Sequence, residues 1–341
     1  MQSKPATIKA IAQILGISAS TVSRALHDHA SIGLTTKAKV KKLAEELNYE
    51  PNQTAIFLQK GKTHTIGVIL PELAEDFFST AVSAIEDTAY KKNYTVLIAQ
   101  SHDDEAKEKL LVEKMKSHRV EGLLVSVGKN TSSYQHFEDL KKYNIPVVYF
   151  DRIPGIPNIH YVACNMETGT IEAVNYLLRK GHRVIGMING PQAMVATGER
   201  REGYISAMTK NRLKYDPSLI VSCDLTEHDT QRALEQLLNN KRRPTAIVTF
   251  NDYVALFALK HAKKLNVKIN EELELVSYAN LPLINYMDNI PVASVEQFPY
   301  LQGQKATDIL MDLLHHKSTA ASEPGAFYKV IIESQLVENK R

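Results

Sequence analysis

The chain reads as an α + α/β protein: a helix-turn-helix three-helix head, a hinge helix, then a two-lobed body of doubly wound α/β sheets. Three features of its 341 residues lead there. Up to Lys62, apolar residues recur at helical spacing around a tight turn that contains a glycine. From Thr65 onward, short apolar runs alternate with helical patterns, which is the mark of parallel strands covered by helices on both faces. That alternation comes in two successive series, most simply two lobes, and the length suffices for two or three domains with their own cores.

In the head, Thr7 caps a helix in which Ile8, Ile11, Ala12 and Leu15 face inward. Gly16 ends it, Ile17 points inward, and Ser18 opens a second helix lined by Val22, Ala25 and Leu26. A third helix turns Val40, Leu43, Ala44 and Leu47 inward and gathers Lys37, Lys39, Lys41 and Lys42 near its start. The segment "GISASTVSRALHD" places Ser18, Ser20, Thr21 and Ser23 where better helix formers would serve. One reading is a cap plus a solvated face. The other is a helix end that enters a DNA major groove, with hydroxyls on phosphates and Arg24 on a base edge.

Charge favours the second reading. Through Lys62 the chain carries nine basic side chains (Lys4, Lys9, Arg24, Lys37, Lys39, Lys41, Lys42, Lys60, Lys62) against four acidic ones (Asp28, Glu45, Glu46, Glu50). The head is thus at +5 while the whole chain is at +3, so the remainder is mildly acidic. A basic head suits a polyanion, although any single lysine also fits an ordinary solvated charge.

Pro51 stops the third helix, and Asn52 can cap a short one through Thr54, Ala55, Phe57 and Leu58, closed by Gly61. Leu58 on such a hinge helix is able to wedge between base steps in the minor groove. A plain linker whose Phe57 and Leu58 pack on a neighbouring domain fits as well.

In the body, "TIGVIL", "YTVLIA", "VEGLLVS" and "IPVVYFD" read as buried strands, with helices near 77–91, 104–118 and 134–143 between them. "RVIGMING", "SLIVSC", "TAIVTF" and "LELVSY" form the second series. A ligand belongs in the crevice at the carboxyl ends of such strands. There stand Asp151 and Arg152 after "VVYF", Arg200 after "NGPQAMVATGER", Asn251 and Asp252 after "AIVTF", and Asn280 after "LVSY". Carboxylates, guanidinium and amides suit the hydroxyls of a sugar-like effector, and Phe77 with Phe78 supplies an apolar face. Alternatively these polar residues cap helices; Asn251 or Asp252 can cap "YVALFALKHA".

Other classes fare less well. Neither HExxH, GxSxG nor GxxxxGK[ST] occurs, so no catalytic residue, metal ligand set or cofactor is expected. The only cysteines are Cys164 and Cys223, as in a reducing cytoplasm. No run of eighteen apolar residues and no secretory h-region occur, so a cytoplasmic chain with no membrane partner is expected. These features also oppose a periplasmic sugar-binding protein. A site-specific recombinase shares the head but needs a catalytic domain that the body lacks.

"TIKAIAQILGISASTVSRAL", "LNYEPNQTAIFL", "THTIGVILPE", "GHRVIGMINGP" and "TAIVTFNDYVALFAL" resemble, in order and spacing, the lactose-repressor (LacI/GalR-type) transcription regulators. The resemblance covers nearly the whole chain and implies a periplasmic-binding-protein-like body with the effector held between its lobes. It implies base-reading positions at Ala19, Ser20 and Arg24, phosphate positions at Thr7, Thr21 and Ser23, and the wedge at Leu58; His27 and Asn52 join this set. In the cleft it implies Phe77, Asp151, Arg200, Asn251 and Gln297, beside Phe78, Arg152 and Asn280. The partners implied are a near-palindromic DNA operator, a second copy of the chain and a small effector, with a nucleobase as the alternative to a sugar. Ala10, His27 and Ile56 depart from the family's acid, asparagine and hinge arginine. Ala279 stands for a frequent effector-binding aspartate and Leu225 for an aromatic stacker, which leaves room for a larger, more acidic or otherwise unusual glycan-derived ligand. The chain closes on "QLVENKR" without leucine heptads, so a homodimer is expected rather than a tetramer. The expected divisions are 1–50 for the head, 51–62 for the hinge, 63–163 with 293–324 for one lobe, and 164–292 with 325–341 for the other.

Overall fold

In the computed structural model, which describes residues 6–50, 62–286, 289–315 and 327–339, the chain forms two compact units that divide between Thr63 and His64. The head holds α1 (Ile8–Leu15), α2 (Ala19–Leu26) and α3 (Leu34–Glu46). Thr7 Oγ1 accepts from Ala10 N at 3.2 Å, and Gly16 ends α1 in the left-handed region at φ 64°, where a Cβ is disfavoured. Ser18 Oγ accepts from Thr21 N at 3.1 Å and opens α2. Ile11, Ala12, Val22, Ala25, Val40 and Ala44 close the core between the three helices, with Leu26, Leu43 and Leu47 packed at its edge. Asp28 ties the α2–α3 loop to α3: its carboxylate takes Lys41 Nζ at 2.7 Å and its carbonyl takes Lys37 Nζ at 2.9 Å. The expected hinge helix, including Asn52, Ile56 and Leu58, lies outside the described residues.

The first lobe of the body is built on β1 (Thr65–Leu70), β2 (Thr95–Gln100), β3 (Gly122–Val125), β4 (Val147–Phe150), β5 (His160–Asn165) and β11 (Lys329–Glu333). They form one parallel sheet in the order β11-β5-β4-β3-β1-β2. Helices α4 (Asp76–Lys91) and α11 (Pro299–His315) contribute Phe78, Ile85 and Leu310 to the core against Val148 and Phe150. The opposite face takes Val112 and Met115 of α5 (Glu105–Ser117) and Phe137 of the short α6 (Gln135–Glu138).

The second lobe uses β6 (Ile185–Asn189), β7 (Ile220–Ser222), β8 (Ala246–Thr249), β9 (Glu274–Tyr278), β10 (Ala293–Glu296) and β12 (Gln335–Glu338). Their order is β12-β10-β9-β8-β6-β7, parallel except for β12 on β10. Helices α7 (Met166–Arg179) and α8 (Val195–Lys210) cover one face, with Val174, Leu177 and Tyr204 inward. Helices α9 (Glu227–Leu238) and α10 (Asp252–Lys264) cover the other through Leu234 and Val254. Apolar residues on both faces of both sheets are what buried parallel strands require.

Two lobe boundaries differ from expectation. Residues 293–296 belong to the second lobe, because Ala293 pairs with Val276 of β9 and with Glu338 of β12. Residues 329–333 belong to the first, because Lys329 pairs with Tyr161 of β5. The chain therefore passes between lobes after Asn165, at Gln297–Phe298 and at Ser334. These passages are stitched together: Ser334 Oγ donates to the Asn165 carbonyl at 2.9 Å, and Asn165 Nδ2 donates to Glu333 at 3.1 Å. Among the described residues no helix is long and apolar enough to cross a membrane.

Candidate functional site

At the N-terminal end of α2 the hydroxyls answer to one another. Ser18 Oγ lies 2.8 Å from both Ser20 Oγ and Thr21 Oγ1 while its lone pair caps the helix. The result is an exposed cluster of small polar groups at the positive end of a helix dipole, a place that favours an anion. Arg24, exposed one turn further on, has no partner among the described residues. Ala19, Thr21 and Ser23 are half-buried on the same short helix. His27 ends α2 and turns Nδ1 back to the Ser23 carbonyl at 2.8 Å. Thr7 already spends its acceptor on the α1 cap.

In the body, the carboxyl ends of the two sheets face one another across a cleft. Phe77, Phe78, Asp151, Arg152, Arg200, Asn251 and Gln297 all line one chamber of it. Arg200, only 3 % exposed, decides its chemistry. Its guanidinium carbon lies 4.0 Å from the Phe250 ring centroid and 4.4 Å from that of Tyr278, so two aromatic rings hold the charge in place. Its Nε and Nη1 are buried without a hydrogen-bond partner among the described residues. An unsatisfied buried donor costs about 1–3 kcal/mol, and more when charged, so this arrangement favours a ligand that brings acceptors.

Asp151 supplies the complement. It ends β4 in the left-handed region at φ 58°, an uncommon place for a residue with a Cβ. Its carboxylate accepts no hydrogen bond from the described residues, and burial raises its pKa to about 6 against the pull of Arg152 and Arg200. Ala279 at φ 87° is a second such residue on the cleft wall. Arg152 is engaged within the first lobe: it reaches Asp103 at 3.0 Å and Glu75 at 3.8 Å, and its guanidinium carbon stands 5.3 Å from the Phe78 ring centroid. Burial also raises the pKa of Glu75. Asn251 does both things expected of it, lining the chamber while its Oδ1 accepts from Val254 N at 2.9 Å as the cap of α10.

Asn280 stands apart from the set. Its Nδ2 donates to Glu296 at 2.9 Å, and it lines neither chamber of the cleft. Leu225 likewise lines neither and packs instead against the core under α9 and α10. The sequence reading missed Met166, Met194, Phe250, Tyr253, Tyr278, Glu75 and Glu199. Phe250 and Tyr278 carried a usable signal, since each ends a strand next to a residue already singled out.

A second chamber adjoins the first and shares Asp151, Arg152, Met166, Met194 and Ala196 with it. Its wall includes the 128–131 loop, which a buried carboxylate organises: Glu108 accepts from Gly128 N at 3.1 Å, Thr131 Oγ1 at 3.2 Å and His136 Nε2 at 2.9 Å. From that loop Lys129 Nζ reaches the Asp224 carbonyl of the opposite lobe at 2.7 Å. Among the described residues, no group of three or more His, Cys, Asp or Glu is placed to hold a metal ion, and both cysteines are free and buried.

A helix-turn-helix head on such a cleft is a combination that known families also carry. Residues 7–52 match the model of bacterial regulatory proteins of the lacI family. Residues 63–329 match the model of periplasmic binding proteins and the sugar binding domain of the LacI family. This chain belongs to the LacI family. It is a DNA-binding transcription regulator whose body receives a small-molecule effector. It is 30 % identical over 313 residues to the HTH-type transcriptional repressor CytR of Escherichia coli K12, covering 91 % of this chain and 90 % of that one. A transcriptional regulator CelR–cellobiose complex has a similar structure, with a TM-score of 0.72 at 25 % identity over 97 % of this chain and 98 % of that one. A Lac repressor dimer bound to operator and the anti-inducer ONPF shares the fold, with a TM-score of 0.81 at 24 % identity and 98 % of each chain covered. The family's relatives named here are regulators, not enzymes.

Proposed function

We propose that this LacI-family regulator is a repressor that binds a near-palindromic operator as a homodimer, and that a sugar or sugar-derived effector between its lobes controls that binding. In the head, the hydroxyls of Thr7, Thr21 and Ser23 position the helix on phosphates, while Ala19, Ser20 and Arg24 read bases and His27 lies alongside. Asn52 and Leu58 complete the DNA set by the family resemblance. A single helix-turn-helix makes too few contacts for operator-grade affinity, which supports two heads on two half-sites.

The observation that carries the effector reading is Arg200: a buried guanidinium, clamped by Phe250 and Tyr278, with Nε and Nη1 unpaired among the described residues. Facing it stands Asp151, a carboxylate without donors among the described residues, and around both stand the rings of Phe77 and Phe78. Donors, acceptors and apolar faces in one chamber are what a polyhydroxylated ring requires. The CelR–cellobiose complex supports the same reading. Effector binding biases the lobe arrangement, and linkage of about 1–3 kcal/mol between cleft and head is enough to change operator occupancy several-fold.

The test is Arg200→Ala, assayed on duplexes selected from a random-sequence pool. The variant is expected to bind the selected duplex as the native protein does. It is also expected to lose at least tenfold in affinity for whichever sugar releases or recruits the native protein. An unchanged ligand titration rejects Arg200 as the clamp, and loss of duplex binding rejects the separation of the two sites.

A further inference from the structure

Each parallel sheet has two ends, and the cleft uses only one of them. At the amino end of the second sheet, α7 runs into β6 and α8 leads toward β7, so Arg179 and Lys210 close their helices on the side of the lobe away from the cleft. A groove lies between these helix ends. Leu178 and Leu213, both packed onto the core of the lobe, give it an apolar base. Asn211 braces one wall, its Nδ2 donating to Asn175 Oδ1 and to the Ala207 carbonyl at 2.8 Å each. The rest of the lining is cationic. Arg179, Arg183 and Lys210 are all exposed there, and no carboxylate among the described residues lines the groove with them.

Cations elsewhere on this lobe commonly have carboxylate partners. Lys180 meets Glu274 at 2.8 Å, Arg201 meets Glu202 at 2.9 Å, and Lys260 meets Glu227 at 2.7 Å. A cation at a helix end often does no more than complement the dipole and the last carbonyls. Arg183 does this with Nη1, which reaches the Leu178 and His182 carbonyls at 2.9 Å each. Those two bonds fix its guanidinium and leave Nε and Nη2 to spare. Arg179 and Lys210 have no partner among the described residues. Three like charges around an apolar base repel one another, and an anionic partner relieves that repulsion.

The apolar base decides the kind of partner. A phosphate backbone offers charge but nothing apolar to cover Leu178 and Leu213. A peptide that sets Asp and Glu around an apolar side chain offers both, with an anchor at the centre and charge at the rim.

We propose that the groove at the ends of α7 and α8 docks an acidic segment of a partner protein, anchored by an apolar side chain on Leu178 and Leu213 and rimmed by Arg179, Arg183 and Lys210. The groove and the cleft lie at opposite ends of the lobe, so partner and effector occupy the body together.

The experiment selects dodecapeptides from a displayed random library on the full-length protein. Each round removes those that also bind the doubly substituted Arg179→Glu, Lys210→Glu protein. This step discards peptides held by the basic head, which both proteins carry. The enriched peptides are expected to be rich in Asp and Glu around a Leu, Ile or Phe. In fluorescence polarisation, the double substitution is expected to weaken them at least tenfold at an unchanged Tm. Replacing their apolar residue with Ser is expected to do the same. Lys241→Glu, exposed on this lobe but outside the groove, is expected to change their affinity less than twofold. An enriched set without an excess of acidic residues, equal binding by the Ser-substituted peptides, or equal weakening by Lys241→Glu overturns the docking groove in favour of diffuse charge. An empty selection overturns it outright. On an unrelated DNA duplex, the native and doubly substituted proteins are expected to share one slope of log affinity against log salt. A smaller slope for the substituted protein assigns the groove to nucleic acid and overturns the peptide assignment.

Discussion

Asp252 shows how a single residue is placed by needs the neighbouring sequence does not reveal. Only 1 % exposed, it accepts from Leu281 N at 2.7 Å and Ser294 Oγ at 3.1 Å, and also from Ser277 Oγ, so it pins the 279–281 segment that forms the cleft wall. Burial raises its pKa to about 7, outweighing the hydrogen bonds that favour the charged form. In the unfolded chain an aspartate titrates near pH ~4. The fold therefore favours the protonated form, and the stability this gives is complete below about pH 4 and lost as the pH rises through about 7. The difference amounts to at most about 4 kcal/mol. Between pH 5 and pH 8 the native protein is expected to lose several degrees of Tm relative to Asp252→Asn, whose amide does not titrate; parallel profiles from differential scanning calorimetry reject this. Asp151 rises in the same sense but is common to both proteins, so the comparison removes it. In the sequence, Asn251 and Asp252 were equally good as caps or as ligand groups. Asn251 caps α10 and also lines the chamber, while Asp252 does neither, because its partners lie in β9, β10 and the segment after β9. Arg200, which lies inside α8 rather than at a strand end, was legible through the family resemblance. Phe250 and Tyr278 were legible only by position, beside Asn251 and Ala279; by residue type, an aromatic side chain at the end of an apolar strand reads as core until the arginine between them is seen.

At the scale of elements, each lobe seats one pair of helices on a glycine. A Cβ at Gly203 of α8 would lie 2.4 Å from the Glu167 carbonyl of α7, and one at Gly303 of α11 would lie 2.3 Å from the Ala81 carbonyl of α4. Both obstacles are backbone, so the helices must separate to admit a methyl group. Gly203→Ala is expected to lower stability by about 1–3 kcal/mol, the usual range for overpacking. The same change at Gly198, in the same helix but with nothing within 4 Å, is the control and is expected to be neutral or mildly stabilising. Equal melting temperatures for the two variants defeat the close-packing argument. Periodicity revealed β1 to β4 and β6 to β9, since each is an apolar run between helical patterns. It did not reveal β5, β10, β11 or β12. β11 and β12 are edge strands with half-exposed alternation, and β10 spans only Ala293–Glu296. Their assignment to a lobe depends on partners 39 to 45 residues away for β12 and 168 for β11.

For the molecule as a whole, the three passages between lobes make the cleft a joint rather than a fixed box. On the proposed reading, the head needs a second head to read an operator. That demand is placed on the body, because the head's apolar residues, Ile14 and Leu34 apart, are used in its core. The first lobe ends in β2, an edge strand that leaves Ile98 42 % exposed, and α4 leaves Tyr90 79 % exposed. An unpaired edge with exposed apolar side chains favours association. Ile98→Glu puts a charge on that edge without entering the cleft or the head. The native protein is expected to sediment as a dimer at micromolar concentration and the variant as a monomer. On a selected duplex the variant is expected to lose at least a hundredfold in affinity. Its slope of log affinity against log salt should be roughly halved, because one head neutralises half as many phosphates as two. Sugar affinity, a property of one body, should be retained. A variant that stays dimeric moves the interface away from β2. A monomer with the native salt slope contradicts recognition by paired heads, since the number of phosphates met cannot then depend on the second copy.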